Sequence, residues 1–443
     1  MEVAPVKGPS SVKLRGGSRF GDLLRRGVFA VVKGRYFEDQ WKQRQPIAMR
    51  QQIPAEYFWS GEEVVEHWEK FASLFLVIVS YPWLTAAHPD PDLWHLERLA
   101  RLVALQRSFS SQYSHAADLG HFACEDVGVI LDWCSLWQEG AGDIRRTPSQ
   151  LAEFKLSLSE VNTPYGHEAV GCWVLEDVPE HEPRKYHDRG WTFFEKSIID
   201  TKAAWNQDLQ TVVVCNSTFL TTNDREIMRR FFAAQKLQGG QRQVLGPCML
   251  PERFEEELEE RAQRATTKGV ALFTNGTEDK ALVLRKYKDA FEMLSQEARS
   301  LNISNRIWTP RQIDYFMEAL PRFVNVQEII LNRNRIGKEG GKKFRVALRT
   351  MPKVTMVQCS DCGLGAKESI LLPMQMVPRF IRTPDADCFW TILITHVFLC
   401  QCCCNFGCSG CSCLTGKRHS VITIFNCCCC CCCSDLPAPR AIA

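Results

Sequence analysis

The feature that most constrains the fold is a repeated alternation, over residues 61–300, between short apolar runs and amphipathic stretches with helical spacing. Residues 74–79 (LFLVIV) and 127–131 (VGVIL) are continuous apolar runs, and 169–175 and 211–215 are strand-like runs that follow them. Continuous apolar runs of this length are typical of strands buried on both faces of a parallel sheet. Because helical stretches separate the runs, the pattern predicts an α/β domain with a mainly parallel sheet flanked by helices.

Helix boundaries can be placed at two points in this domain. Thr147-Pro148 has the form of an N-cap followed by proline at the first helical position, which predicts a helix to about Val161. Further on, a short strand over Val270–Phe273 should precede a long helix from Glu278 to about Ser300.

A different pattern begins at about residue 301 and continues to 375. Residues 326–337 fit V-x-x-I-x-L-x-x-N-x-I-G, and the same spacing returns 28 residues later over 354–365, with Cys362 in the place of Asn334. This segment resembles the long, ribonuclease-inhibitor type of leucine-rich repeat, with a helix over Glu339–Leu348 between two strands. Since fewer than about three such repeats rarely stand alone, we expect the unit to pack on the preceding domain.

The charge balance argues against a nucleic-acid-binding protein. The 443 residues include 54 Lys and Arg against 51 Asp and Glu, a formal net charge of +3, so nucleic acid is not an expected partner. The N-terminal region is locally basic, with eleven basic and four acidic residues in the first fifty. We expect residues 1–60 to form a loosely structured arm, which could contact anionic lipid or RNA.

The cysteines are concentrated in the C-terminal region. Of 22, fifteen lie between Cys388 and Cys433, seven of them consecutive, beside a twelve-residue apolar run over 389–400. That run is shorter than the roughly 20 residues needed to span a bilayer. Soft-metal binding, acylation, a membrane anchor and a translated simple repeat remain open for residues 376–443, which we expect to be a disordered low-complexity tail. The N-terminus has no apolar signal segment, so we expect a cytoplasmic protein with reduced thiols, or one membrane-associated through this tail.

Three aromatic-rich stretches follow the first three predicted strands. They contain S-Y-x-W from Ser80, D-x-C-x-x-x-Q from Asp132 and R-x-W-x-x-x-E from Arg189. In this order the motifs resemble those of the heterokaryon-incompatibility (HET) domain, a relative of the Toll/interleukin-1 receptor (TIR) domain, over residues 74–200. Leu84 and Phe194 stand where HET domains usually have glycine and glutamine.

The resemblance implies a flavodoxin-like fold used in signalling. Some TIR domains cleave NAD with a glutamate four residues after a tryptophan, which is the spacing of Trp191 and Glu195. In that reading Glu195 would be the catalytic carboxylate that stabilises a cationic ribosyl transition state, and Arg189 would lie at a helix N-terminus suited to phosphate. The candidate ligand-pocket residues are Ser80, Tyr81, Trp83, Asp132, Arg189 and Trp191.

The same residues also have a purely structural interpretation. The tryptophans could fill the layer between sheet and helices, with Arg189 and Asp132 as a buried ion pair. No glycine-rich phosphate loop is present, so we expect no resident cofactor, NAD entering only as a substrate; no metal site is expected either.

Two functions follow from these patterns. The first is an intracellular signalling protein that binds protein partners through its leucine-rich repeat surface and self-associates. The second is an NAD glycohydrolase centred on Glu195. Membrane contact through the basic arm or the tail is a further expectation.

Overall fold

The computed structural model of the chain describes residues 17–116, 125–140, 144–205, 212–227, 245–274, 276–306 and 308–364. The predicted tail over 376–443, the end of the repeat segment over 365–375 and the first sixteen residues of the basic arm lie outside these ranges. The strands are β1 (Val32–Lys33), β2 (Leu76–Ser80), β3 (Gly128–Ile130), β4 (Gly171–Leu175), β5 (Val212–Cys215), β6 (Ser300–Asn302), β7 (Glu328–Ile330) and β8 (Met356–Gln358).

Helices precede, separate and follow these strands. In chain order they are α1 (Gly17–Arg25), α2 (Gly34–Gln43), α3 (Gly61–Phe71), α4 (Trp94–Ala116), α5 (Asp132–Ser135), α6 (Pro148–Ser159), α7 (Asn162–Gly166), α8 (Gly190–Trp205), α9 (Asp224–Ile227), α10 (Pro251–Thr267), α11 (Gly276–Glu297), α12 (Pro310–Ala319) and α13 (Gly337–Leu348). The predicted N-cap at Thr147 is confirmed, because its side chain accepts a hydrogen bond from the Gln150 amide. The predicted strand over Val270–Phe273 is wrong: this segment runs against the start of α8, where the Gly190 amide donates to the Leu272 carbonyl.

The main sheet has five strands in the order β1-β3-β2-β4-β5. β2 pairs in parallel with β3 (Leu76 opposite Gly128) and with β4 (Val79 opposite Trp173), and β4 pairs in parallel with β5. Only β1 is antiparallel, at the edge beside β3. The predicted mixed α/β architecture with a mostly parallel, helix-flanked sheet is therefore confirmed.

Both faces of the main sheet are covered by helices. Successive side chains of a strand point to opposite faces. Leu76 and Ile78 of β2 accordingly join an apolar core with α8 and α11, whereas Val77 and Val79 join a second core with α2 and α4. The apolar run of β2 is thus buried on both sides, as its composition predicts.

Residues 17–60 differ from the loosely structured arm expected from their charge. α1 buries Phe20 and Leu24, α2 buries Tyr36 and Phe37, and β1 pairs with the main sheet through Val32 and Val129. The expectation is wrong for these residues because the basic side chains alternate with apolar ones, so that charge stays at the surface while the apolar side chains enter both cores.

The second sheet consists of β6, β7 and β8, all parallel, in chain order. Their registers place Leu301 opposite Ile329 and Ile329 opposite Val357, so that the strands repeat every 28 residues. The backbone repeats with the same period, since φ is positive at Asn305 (61°), Arg333 (60°) and Asp361 (59°). The structure therefore contains a third unit before the two found in the sequence, and the expected domain boundary at 300/301 cuts through β6.

The two sheets share one apolar core. The cluster that contains Leu76 of β2 also contains Phe291 of α11, Leu301 of β6 and Ile329 of β7. The described residues, which lie between 17 and 364, belong to one compact unit. Across the described ranges, no helix is both long enough and apolar enough to cross a membrane.

Candidate functional site

The carboxyl edge of the main sheet brings the three motif stretches together. The chain passes from β2 to β3 on one side of β2, and then crosses to β4 on its other side. In open α/β sheets the loops diverge at such a change of direction, and ligands bind in the crevice beyond the strand ends. Ser80 closes β2, Asp132 comes two residues after β3, and Glu195 lies on α8, the helix that follows β4.

Ser80 connects the first motif stretch with the third. Its hydroxyl donates a hydrogen bond to Glu195 Oε2 at 2.5 Å and lies 2.6 Å from the hydroxyl of Tyr186. Because a serine hydroxyl carries one proton, the Tyr186 hydroxyl is the donor to Ser80. The three side chains form a chain of hydrogen bonds across the crevice between β2 and β4.

The carboxyl group of Glu195 is shifted toward its neutral form. The residue as a whole is partly exposed, but its carboxyl end is enclosed, and this burial raises its pKa to about 8. The hydrogen bond from Ser80 acts in the opposite direction, the charge of Asp132 raises the pKa further, and the Tyr165 hydroxyl lowers it. At neutral pH Glu195 is therefore mostly an uncharged acid.

Asp132 is the centre of a second set of hydrogen bonds. Its Oδ1 accepts from the Tyr81 hydroxyl at 2.7 Å, and its Oδ2 accepts from Trp83 Nε1 at 2.9 Å. The Trp133 amide donates to Oδ1 as well, and Gln138 Nε2 donates to the Asp132 carbonyl oxygen at 2.9 Å. Burial raises the pKa of the Asp132 carboxyl group, whereas the hydrogen bonds from Tyr81, Trp83 and the Trp133 amide lower it. The first two motifs are thus joined through one carboxylate.

Arg189 contacts two backbone carbonyl oxygens and one carboxylate. Its guanidinium donates to the carbonyl oxygens of Trp83 and Arg184 and pairs with Glu182 at 3.1 Å. The predicted ion pair between Arg189 and Asp132 is therefore wrong: Glu182 is the partner. Burial lowers the pKa of Arg189 to about 10, so it stays charged at neutral pH. Hydrogen bonds to the carbonyl oxygens of Trp83 and Arg184 use three of its five N–H groups, and Glu182 supplies its counter-charge.

Trp191 lies outside this network. It is partly exposed, packs against the larger core and meets Phe194 edge-to-face with ring centroids 6.0 Å apart. Trp191 is therefore only a neighbour of the network, one helical turn before Glu195. The predicted site residues that the structure does bring together are Ser80, Tyr81, Trp83, Asp132, Arg189 and Glu195.

Sequence reasoning missed several residues of the network. Tyr165 of α7 donates to the Val79 carbonyl oxygen at 3.2 Å, and no sequence pattern singles it out. Tyr186 is not among the missed residues, because its place three residues before the third motif already makes it a candidate to line the same cleft. His95 of α4 contacts the Pro82 carbonyl through Nε2 at 2.9 Å and packs edge-on against Tyr81. Burial lowers the pKa of His95 to about 3, so the ring is neutral.

At the crevice, the side chains of Ser80, Tyr81, Tyr186 and Arg189 are buried. An open cavity of about 400 Å³ lies elsewhere, between α2 and α4. It is lined by Glu38, Trp41, Lys42, Glu97, Ala100, Arg101, Ala104 and Leu220, none of which belongs to the network. Among the described residues, no group of His, Cys, Asp and Glu side chains is arranged to hold a metal ion. Comparisons of the chain with protein-family models, with curated proteins and with solved structures return no match.

Proposed function

We propose that this chain is a signalling protein that acts through protein contacts, with a HET/TIR-like α/β region joined to a short leucine-rich repeat unit. The order of its parallel strands, β3-β2-β4-β5, corresponds to the first four strands of the flavodoxin-like order 2-1-3-4-5. The motif residues of the HET resemblance lie at one edge of that sheet. Asn334 and Cys362 each donate to the carbonyl oxygen 31 residues earlier, that of Ile303 and of Leu331 respectively, as a shared repeat position requires.

The observation that carries this proposal is the contrast between two surfaces. Ser80, Tyr186 and Arg189 at the main sheet are buried, whereas the outward-facing side chains of the second sheet stay partly or fully exposed. The outward-facing residues are Ser300, Asn302, Glu328, Ile330, Met356 and Gln358. A mixed polar and apolar strip of this kind suits a protein partner, with the apolar members at its centre.

Substitution of one apolar residue on this strip tests the proposal. Met356 and Leu151 of α6 have the same exposed fraction, 38%, so Met356→Ser and Leu151→Ser form a matched pair. We expect Met356→Ser to weaken self-association of the full chain about tenfold in sedimentation experiments, and to weaken capture of its partners by the same factor. Leu151→Ser should associate like the parent protein. A tenfold change corresponds to about 1.4 kcal/mol, within the range for a buried methionine. If both variants associate like the parent protein, the strip is not the interface.

NAD cleavage is the second candidate, supported by Glu195 at the crevice one turn after Trp191. A glycosidase-type carboxylate must be ionised, but with a pKa of about 8 only about a tenth of Glu195 is ionised at pH 7. We therefore expect any nicotinamide release by the full chain to rise as the pH increases through 8, and to be lost in Glu195→Gln. Absence of release at pH 9 from concentrated protein would remove the enzyme hypothesis.

A further inference from the structure

The segment around α13 carries most of the positive charge of the repeat unit. Residues 333–353 contain eight Lys and Arg and one acidic residue, Glu339, which gives a local excess of seven positive charges. The whole chain has an excess of only three. This concentration is therefore local, and the rest of the chain compensates for it.

Four of these cations lie along one face of α13. Lys338, Lys342, Arg345 and Arg349 are spaced i, i+4, i+7 and i+11, which aligns them on a helix and its first following residue. We call these four residues the cation stripe. The opposite side of the helix is buried in the shared core through Phe344, Ala347 and Leu348. Within the stripe, Lys338 and Arg349 are exposed and the other two cations are half-buried.

Among the described residues, the stripe has one ion-pair partner, Glu339, which also interacts electrostatically with Lys338. Lys342 pairs with Glu339 at 2.7 Å, whereas Lys338, Arg345 and Arg349 make no ion pair with any described residue. The neighbouring Lys343 is already paired with Asp314 at 2.6 Å. Three adjacent charges are thus available to an external anion.

Apolar side chains are exposed within the same surface. Val346 of α13 is 59% exposed and Val324 is 53% exposed, the two highest values among the large apolar residues of the described ranges. Val324 precedes Asn325, whose Oδ1 accepts a hydrogen bond from Nζ of Lys353, four residues after the last stripe residue, at 2.5 Å. A row of cations with apolar side chains between them matches the headgroup region of an anionic bilayer.

We propose that the cation stripe, together with Val346 and Val324, binds the surface of membranes that contain anionic phospholipids. Lysine and arginine neutralise the headgroup phosphates and carboxylates, while the two valines enter the layer beneath them. Nucleic acid is the less suitable polyanion, because the stripe contains no aromatic ring on which bases could stack. The site lies on the helical side of the repeat unit, distinct from both the N-terminal region and the tail.

The experiment compares vesicles and variants with the full chain. We expect the protein to co-sediment with vesicles of equal parts phosphatidylcholine and phosphatidylserine, to release on addition of salt, and to stay in solution with phosphatidylcholine alone. Arg345→Gln with Arg349→Gln should weaken this binding about 30-fold, the effect expected from losing two surface cations. Arg145→Gln with Lys155→Gln removes two exposed cations elsewhere and should leave binding nearly unchanged.

Three results would overturn the proposal. The first is binding to phosphatidylcholine vesicles that equals binding to the mixed ones, which would point to apolar attachment by another segment. The second is equal loss in the two double variants, which would show that only net charge matters. The third is tighter binding to polyuridylate than to vesicles, abolished by Arg345→Gln with Arg349→Gln, which would assign the stripe to nucleic acid.

Discussion

At the scale of single residues, the protonation of Glu195 has a consequence for stability. Its pKa lies near 4.5 in an unfolded chain and at about 8 in the folded protein. A raised pKa stabilises the fold fully below the lower value, and this contribution is lost as the pH rises through the higher one. Stability should therefore fall between about pH 4.5 and pH 8.

The variant Glu195→Gln isolates this effect. An amide cannot ionise but can still accept the hydrogen bond from Ser80. We therefore expect the free energy of unfolding of the variant, relative to that of the parent protein, to rise by about 1.4 kcal/mol per pH unit within that window. Urea unfolding at a series of pH values measures the difference. Glu255→Gln, on the exposed side of α10, removes the same charge and serves as the control. Parallel curves for parent and Glu195→Gln would show that the carboxyl group is ionised throughout.

The residue scale is also where sequence reasoning fails most clearly. Ser80, Asp132 and Arg189 were expected at one sheet edge because parallel strands end there together, and they do lie there. Which acid pairs with Arg189 depends on how the loop before α8 folds back, and that loop supplies Glu182. Motif spacing contains no information on such a contact, because it is set by tertiary packing.

At the scale of elements, the buried asparagine of the repeat unit is the most consequential side chain. Asn334 Oδ1 accepts from the Arg306 amide at 2.8 Å, and its Nδ2 donates to the carbonyls of Ile303 and Leu331 at 2.7 Å. We expect Asn334→Ala to lower the free energy of unfolding by about 2–4 kcal/mol, since three buried backbone groups each lose a hydrogen bond. Denaturant unfolding tests this value.

Asn332 provides the comparison for Asn334. It is partly exposed and bonds to the Ser360 amide and to Gln358, so water can replace its contacts in Asn332→Ala. We expect a loss of about 1 kcal/mol or less there. If the two substitutions lower the free energy of unfolding equally, burial of the asparagine does not determine how much it stabilises the fold.

Elements were predictable where local chemistry dominates. The apolar run before Ser80 gives β2, and Thr147 followed by proline gives the start of α6. The strand β1 was missed because it has only two residues, Val32 and Lys33, whose pairing depends on β3 more than ninety residues away. The first repeat was missed because Arg306 stands 28 residues before Asn334, where the pattern requires Asn or Cys.

At the scale of the whole molecule, stacked aromatic rings connect the main sheet to the repeat unit. Phe193 of α8 stacks on Phe254 of α10 at 4.9 Å, and Phe254 stacks on Tyr287 of α11 at 3.9 Å. Tyr287 contacts Phe291, which meets Phe323, between α12 and β7, at 6.0 Å. All five rings are buried in the shared core. Because no solvent layer separates the two sheets, neither can lose its packing without exposing apolar surface of the other.

This continuity predicts that both sheets open together. In hydrogen exchange of the full chain under mildly denaturing conditions, Asn334→Ala should lower the opening free energy of peptides from β4 as much as that of peptides from β7, although Asn334 lies only in the repeat unit. Phe323→Leu, which removes the last ring of the aromatic series but keeps the site apolar, should partly uncouple the two responses. If Asn334→Ala affects β6, β7 and β8 while β4 keeps its protection, the repeat unit unfolds independently. The aromatic contacts would then connect two separately stable regions, and the long-range stabilisation inferred from the shared core would be absent.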